Sequence, residues 1–337
     1  MGELSKIIKE FIMKFNLDCH LFCFGTFSER YIPDGYYDEV ELKKAFETIA
    51  STSVKGFMNT WKPSMLPEDP EKNKRFLAEY GLVPSLVLID NFGDRKFRHG
   101  AYSTSQKDVQ KENMKLCKEG IDFAKALGVH SVLLWPAHDG MDYPFSVDYR
   151  ATWERMVDNF KEIAEYAGDM KLAIEPKPQD PRQKMLVNST GKAMMLVNDI
   201  GMDNVGLALD VGHSFAAAEN PAEACVVMDR HNKLFQVHLN DNYKNADPDM
   251  IFGTVNFWEN LEFMYYLLQT DYDGWCSVDI IANRENREDS FKVCVQLIEK
   301  YYELASKLLE KQDVLQQNME DYRFSKNISL ISDIIFR

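Results

Sequence analysis

An α/β architecture, a closed (β/α)8 barrel followed by a C-terminal helical tail, is predicted by three observations. From Leu21 onward, short apolar runs rich in β-formers alternate with longer segments of helical period, eight times over. Gly and Pro fall between these runs where such units turn, as in YGLVPS and ALGVHS. Strict βαβ alternation without a linker dictates a parallel sheet with right-handed crossovers, and eight units in one span close it. The rival is an open doubly wound sheet, which normally carries a Gly-rich phosphate turn after its first strand. Here that turn reads GTFSERYIPDG, with no GxGxxG.

Taken in order, the expected strands are Leu21–Phe24, Val54–Met58, Val83–Leu88, Ser131–Trp135, Lys171–Ile174, Val205–Leu209, Phe235–Leu239 and Cys276–Ile280. Each is a short β-branched or aromatic run bounded by polar or turn residues. Helical period marks Glu39–Thr52, Asp108–Leu127, Tyr149–Ala167 and Asn256–Leu268 between them, and Ser290–Leu309 after the last strand. Residues 1–308 are therefore expected to form one catalytic barrel and 309–337 a tail. The tail is polar until Ile328, Leu330, Ile331, Ile334, Ile335 and Phe336. That end is too short to cross a bilayer and too apolar for a free terminus. It is expected to touch a neighbouring subunit; folding back on its own barrel is the alternative.

The 337 residues carry a formal net charge of −14, against a sequence-independent nucleic-acid binder, which needs a basic surface. Cysteines at 19, 23, 117, 225, 276 and 294 show no CxxC and no framework, so they read as reduced thiols of a cytoplasmic protein. The segment MGELSKIIKEFIMKF interleaves charges with apolar residues, unlike a signal peptide or a membrane span.

Four runs end in residues that bind hard cations: KLAIE in Glu175, VGLALD in Asp210, LFQVH in His238 and WCSVD in Asp279. A charge at the end of a buried strand costs several kcal/mol unless it is neutralised. Barrel enzymes build their sites at the C-terminal ends of strands, and neighbouring strands lie about 4.8 Å apart, so four successive ends can share one ion. Three carboxylates and one imidazole favour Mg²⁺, Mn²⁺ or Co²⁺ over a thiolate-type zinc site. His213, three residues after Asp210, and the DxD pair Asp247 and Asp249 could hold a second cation with Glu175 as the bridge. Lys177 points to the same side of its strand as Glu175 by the period of two.

These residues carry a resemblance. LAIEPKPQDPRQKMLVNSTGKAM, LFQVHLND, ADPDMIFGTVNF and VDIIANRENRED are similar, in order, to xylose isomerase motifs, as are NFGDRKFRHGAYSTSQKDV and SVLLWPAHDG upstream. The resemblance runs from about residue 20 to 305. It implies a TIM barrel, an enzyme interconverting aldoses and ketoses with two divalent cations, and a homo-oligomer, dimer or tetramer. It further implies that Lys177 donates to the O1 carbonyl and that Trp135, Phe27 and Phe92 wall the sugar pocket; Trp61 is an aromatic candidate without a counterpart. Two departures stand out. The set Glu175, Asp210, His238, Asp279 resembles the L-rhamnose isomerase branch of the superfamily rather than xylose isomerase itself. The ring-opening histidine of strand two is missing from KGFMNTWKP, where Asn59 or Thr60 stands, so ring opening falls to another group, for which His138 and His99 are the candidates, to water, or is not needed; His138 is also expected to touch the sugar.

The expected function is a metal-dependent 1,2-hydride shift on an open-chain sugar, with Lys177, Glu175 and Asp279 as catalytic side chains. A ketose 3-epimerase on the same barrel is the runner-up; it resembles chemistry that uses two opposed glutamates as acid and base, whereas the strand-eight partner here is the shorter Asp279. A sugar-binding barrel without turnover is the third reading, and a metal-dependent nuclease is disfavoured by the acidic charge.

Overall fold

A computed structural model describes residues 15–62 and 64–336. The MGELSKIIKEFIMKF reading falls almost wholly outside the described residues. The barrel strands are β1 (Asn16–Cys19), β2 (Gly56–Trp61), β3 (Val83–Ile89), β4 (Ser131–Leu134), β5 (Lys171–Ile174), β6 (Val205–Asp210), β7 (Leu234–Leu239) and β8 (Trp275–Val278). All pair in parallel with their neighbours in chain order, and β8 pairs with β1 to close the ring. Around them run α1 (Leu42–Ala50), α2 (Pro70–Glu79), α3 (Lys107–Leu127), α4 (Tyr149–Ala167), α5 (Thr190–Ile200), α6 (Pro221–Arg230), α7 (Phe257–Leu267) and α8 (Arg287–Leu309).

Seven expected strands match to within a few residues, and the first does not. Leu21–Phe24 is a 3-10 turn, and β1 is the preceding run NLDC. The apolar signal is weak there because Asp18 faces the barrel interior while Leu17 and Cys19 join the outer core. Asp18 is wholly buried and accepts from Ser277 Oγ, which also receives Gln236 Nε2 at 3.3 Å. Burial raises the Asp18 pKa against the lowering effect of these hydroxyl contacts. Gly56 begins β2 opposite this acid: a Cβ there would come within 2.7 Å of Asp18 Cβ and closer still to the Trp275 ring.

Elsewhere the core follows the barrel rule of side chains filling the interior in layers. Met58, Leu86, Leu88, Leu133, Ala173 and Ala208 pack inside the sheet. Outward positions of the same strands, including Phe57, Val87, Ile89, Val132, Leu172 and Leu207, pack under the helices. All six cysteines are buried and unpaired.

The tail forms α9 (Gln312–Glu320) and α10 (Phe324–Ile335). Leu330, Ile331, Ile334 and Ile335 pack against the chain's own core, which is the alternative weighed from sequence. No described helix is long and apolar enough to cross a membrane.

Candidate metal centre

The parallel register places one side chain from each of four neighbouring strand ends at the same height. Asp210 pairs with His238 across β6 and β7, and Glu175 and Asp279 follow β5 and β8 by one residue. Side-chain atoms of Glu175, Asp210, His238 and Asp279 all lie within 4.8 Å of one another. His238 Nδ1 stands 3.0 Å from Asp279 Oδ2, 3.4 Å from Glu175 Oε1 and 3.6 Å from Asp210 Oδ2. Donor atoms held about 2.1 Å from a six-coordinate cation lie about 3 Å apart, so this spacing is that of a coordination shell. Nδ1 of His238 sits among these three carboxylates without a well-aligned hydrogen bond, and buried Nε2 has no partner, which buried polar atoms rarely tolerate. The donor set therefore fits a divalent cation.

A second group gathers Asp210, His213 and Asp247 within the same limit, so the shared side chain is Asp210, where Glu175 was expected. Asp210 caps the short helix Val211–Ala216 by accepting from the His213 N–H at 2.7 Å, which turns His213 back over the strand end. His213 Nδ1 lies 3.0 Å from the Pro176 carbonyl. A carbonyl only accepts, so Nδ1 carries a proton and Nε2 faces Asp247 Oδ2 at 2.9 Å. Lys177 Nζ reaches the same oxygen at 3.0 Å. Asp249, on the same loop at φ +49°, is not among the converging atoms.

Electrostatics follow from packing these acids in a buried space. Burial opposes protonation of His213, but Asp210 and Asp247 outweigh it and raise its pKa to about 10. In His238 burial is likewise overridden, by Glu175, Asp210 and Asp279, and the pKa goes well above the usual range. Lys177 stays an ammonium because Asp247, Asp249 and Asp180 overcome its burial. For Asp249, burial and the neighbouring Asp247 push the pKa well up. Without a cation the imidazoles must hold protons to offset the carboxylates; a bound dication takes over that role and needs them neutral.

Sequence reasoning missed three residues that hold this arrangement. Asn240 donates to Asp210 Oδ2 at 3.0 Å and accepts from the Gly212 N–H, while Asn242 donates to Asp247 Oδ1 at 3.0 Å. His20, just past β1, has Nε2 2.9 Å from Asp279 Oδ1. Gly212 makes room for this packing: a Cβ would overlap Asn240 Oδ1 and come within 2.9 Å of Asp247 Oδ1.

The remaining candidates divide. Trp135 lies under the Lys177 ammonium at 5.2 Å and meets Phe92 edge-on at 4.7 Å. Phe27 meets Tyr37 edge-on at 5.8 Å. Half-buried His138 contacts the Phe92 carbonyl at 3.0 Å, whereas His99 is exposed. Asn59 points outward to Asn73 of α2, and Trp61 stacks on Phe123 of α3 as core.

Comparison with known proteins agrees with this frame. A family model described as xylose isomerase-like TIM barrel matches residues 44–301, and the chain belongs to that family. Xylose isomerase from Thermus thermophilus is 26% identical over 226 residues, 64% of this chain. The match spans only 57% of that enzyme's length. Among solved structures, a D-tagatose 3-epimerase-like protein superposes with a TM-score of 0.68 at 19% identity, covering 88% of this chain and 100% of its own. An L-ribulose 3-epimerase does so with 0.66 at 15% identity, covering 88% and 97%. At these identities the two epimerases show the shared fold alone.

Proposed function

We propose that this protein is a metal-dependent isomerase that interconverts an aldose and its ketose by a 1,2-hydride shift on the open chain, using two divalent cations. The observation that carries the reading is the position of Lys177: a buried ammonium 3.0 Å from Asp247 Oδ2, beside two cation-binding groups that share Asp210. Divalent cations in the two groups supply Lewis acidity for charge that builds on the sugar oxygens O1 and O2. Lys177 donates to the carbonyl oxygen at O1, the charge-assisted contact that strengthens as the oxygen becomes anionic. Asn240 and Asn242 hold Asp210 and Asp247 in one rotamer each, so the ligands need not reorganise during the reaction. Trp135 and Phe92 face the C–H side of the sugar and keep bulk water from the transferring hydrogen. Mn²⁺, Mg²⁺ and Co²⁺ all suit this donor set, a homo-oligomer suits the family, and the reduced thiols suit the cytoplasm.

The test is a panel of pentoses, hexoses and deoxyhexoses with metal-stripped protein and Mn²⁺ in D₂O. Ketose product with little deuterium at C1 or C2 is expected; extensive wash-in excludes the hydride shift. A 3-epimerase is the second reading, favoured by the two carboxylates Glu175 and Asp279, which lie 3.4 and 3.0 Å from His238 Nδ1. Deuterium entering at C3 of a ketose, with a single metal per chain, would select it.

A further inference from the structure

The geometry points to His20 as a positioning residue that fixes the strand-eight carboxylate, Asp279, for cation binding. The inference rests on the metal-centre reading above. Register explains the encounter: Cys19 of β1 pairs with Val278 of β8, so the next residues, His20 and Asp279, emerge side by side at the seam where the barrel closes. His20 is 4% exposed, and its Nε2 lies 2.9 Å from Asp279 Oδ1. Because a carboxylate accepts, Nε2 bears the proton. The other nitrogen, Nδ1, is buried with no partner. Phe22 meets the imidazole edge-on at 5.2 Å and 67°, which restrains the plane of the ring.

The effect on Asp279 is one of orientation. An aspartate on a short arm turns freely about its last side-chain bond unless one oxygen is tied down. With Oδ1 held by His20, Oδ2 is left facing His238 Nδ1 at 3.0 Å, inside the first cation-binding group. Partners of this kind, one step behind a ligand, change metal affinity by about 10–100-fold when removed. Asp279 belongs to the first group and not to the second, so the effect should fall on one of two bound ions.

The test compares His20→Gln with His20→Asn by calorimetric titration of the full metal-stripped chain with Mn²⁺. A glutamine carries its amide nitrogen near the place of Nε2 and restores the donor to Asp279; an asparagine carries it near the place of Nδ1 and does not. Expected is a 10–100-fold weaker affinity for one of two Mn²⁺ equivalents in His20→Asn, with His20→Gln within a few-fold of the unaltered protein and equal melting temperatures for both variants without metal. Equal Mn²⁺ affinity in His20→Asn, or equal weakening in both variants, overturns the inference alone. Failure of the unaltered chain to bind Mn²⁺ overturns the metal-centre reading and this inference with it.

Discussion

Saturating the metal-stripped protein with Mn²⁺ should raise its melting temperature by an amount that counts the ions. A ligand that binds only the folded state at a hundred times its Kd contributes about 2.7 kcal/mol. At about 2.1 cal/mol/K per residue, the 337-residue chain has an unfolding entropy near 0.7 kcal/mol/K, so each ion is worth about 4 °C. Two groups predict about 8 °C. Asp247 belongs only to the second group and Asp279 only to the first, whereas Asp210 is in both. Asp247→Asn and Asp279→Asn should each keep about 4 °C of the shift, and Asp210→Asn almost none. Scanning calorimetry with EDTA and with Mn²⁺ measures all four proteins directly. A full shift in Asp210→Asn, or no shift in the unaltered chain, would refute the two-group assignment.

Three further outcomes follow from the same geometry. Lys177→Met keeps the length of the side chain and its place over Trp135 but removes the donor, and should lower kcat by about 10²–10³-fold while leaving Mn²⁺ affinity at the first group unchanged; steady-state kinetics beside a metal titration separate the two. Gly212→Ala places a methyl against Asn240 and Asp247 and should weaken the second Mn²⁺ equivalent more than the first, read by the same titration. In the metal-free protein, His213 has a folded pKa raised to about 10 from 6.5, so its stabilising effect is complete below about pH 6.5 and lost as pH rises through 10. The melting temperature with EDTA should therefore fall between pH 7 and 10, by an equivalent on the order of 4 kcal/mol, and His213→Gln should flatten that slope.

What the sequence discloses depends on whether a residue's role leaves a mark on the local pattern. A carboxylate or imidazole at the end of an apolar run stands out because burying it alone is costly, and Glu175, Asp210, His238 and Asp279 were legible for that reason. The longer helices were legible too, since long periodic segments such as Lys107–Leu127 and Tyr149–Ala167 leave little choice of structure. Asn240 and Asn242 carried no such mark. An amide is common on surfaces and, once hydrogen-bonded, in interiors, and only the fold reveals that one holds an oxygen of Asp210 and the other an oxygen of Asp247.

His20 was hidden by a different cause. Asp18 turns inward and breaks the apolar run of the true first strand, so the neighbouring LFCF looked like the better strand and His20 fell before it rather than after it. Had the alternation Leu17, Asp18, Cys19 been taken as outward, inward, outward, the histidine would have stood at a strand end like the four others. The exception to the apolar pattern thus concealed the group that the pattern would have exposed. Both residues trace to one feature, a polar seam where β8 meets β1: Asp18 bonds to Ser277 and His20 to Asp279, two residues further along the same pair of strands. Since successive inward positions on a strand are two apart, a polar pair at one level prepares the register for the next. A hydrophobic replacement of Asp18 would make the first strand easier to read and leave the buried Ser277 hydroxyl with Gln236 as its remaining partner, directly beneath the histidine that steers Asp279.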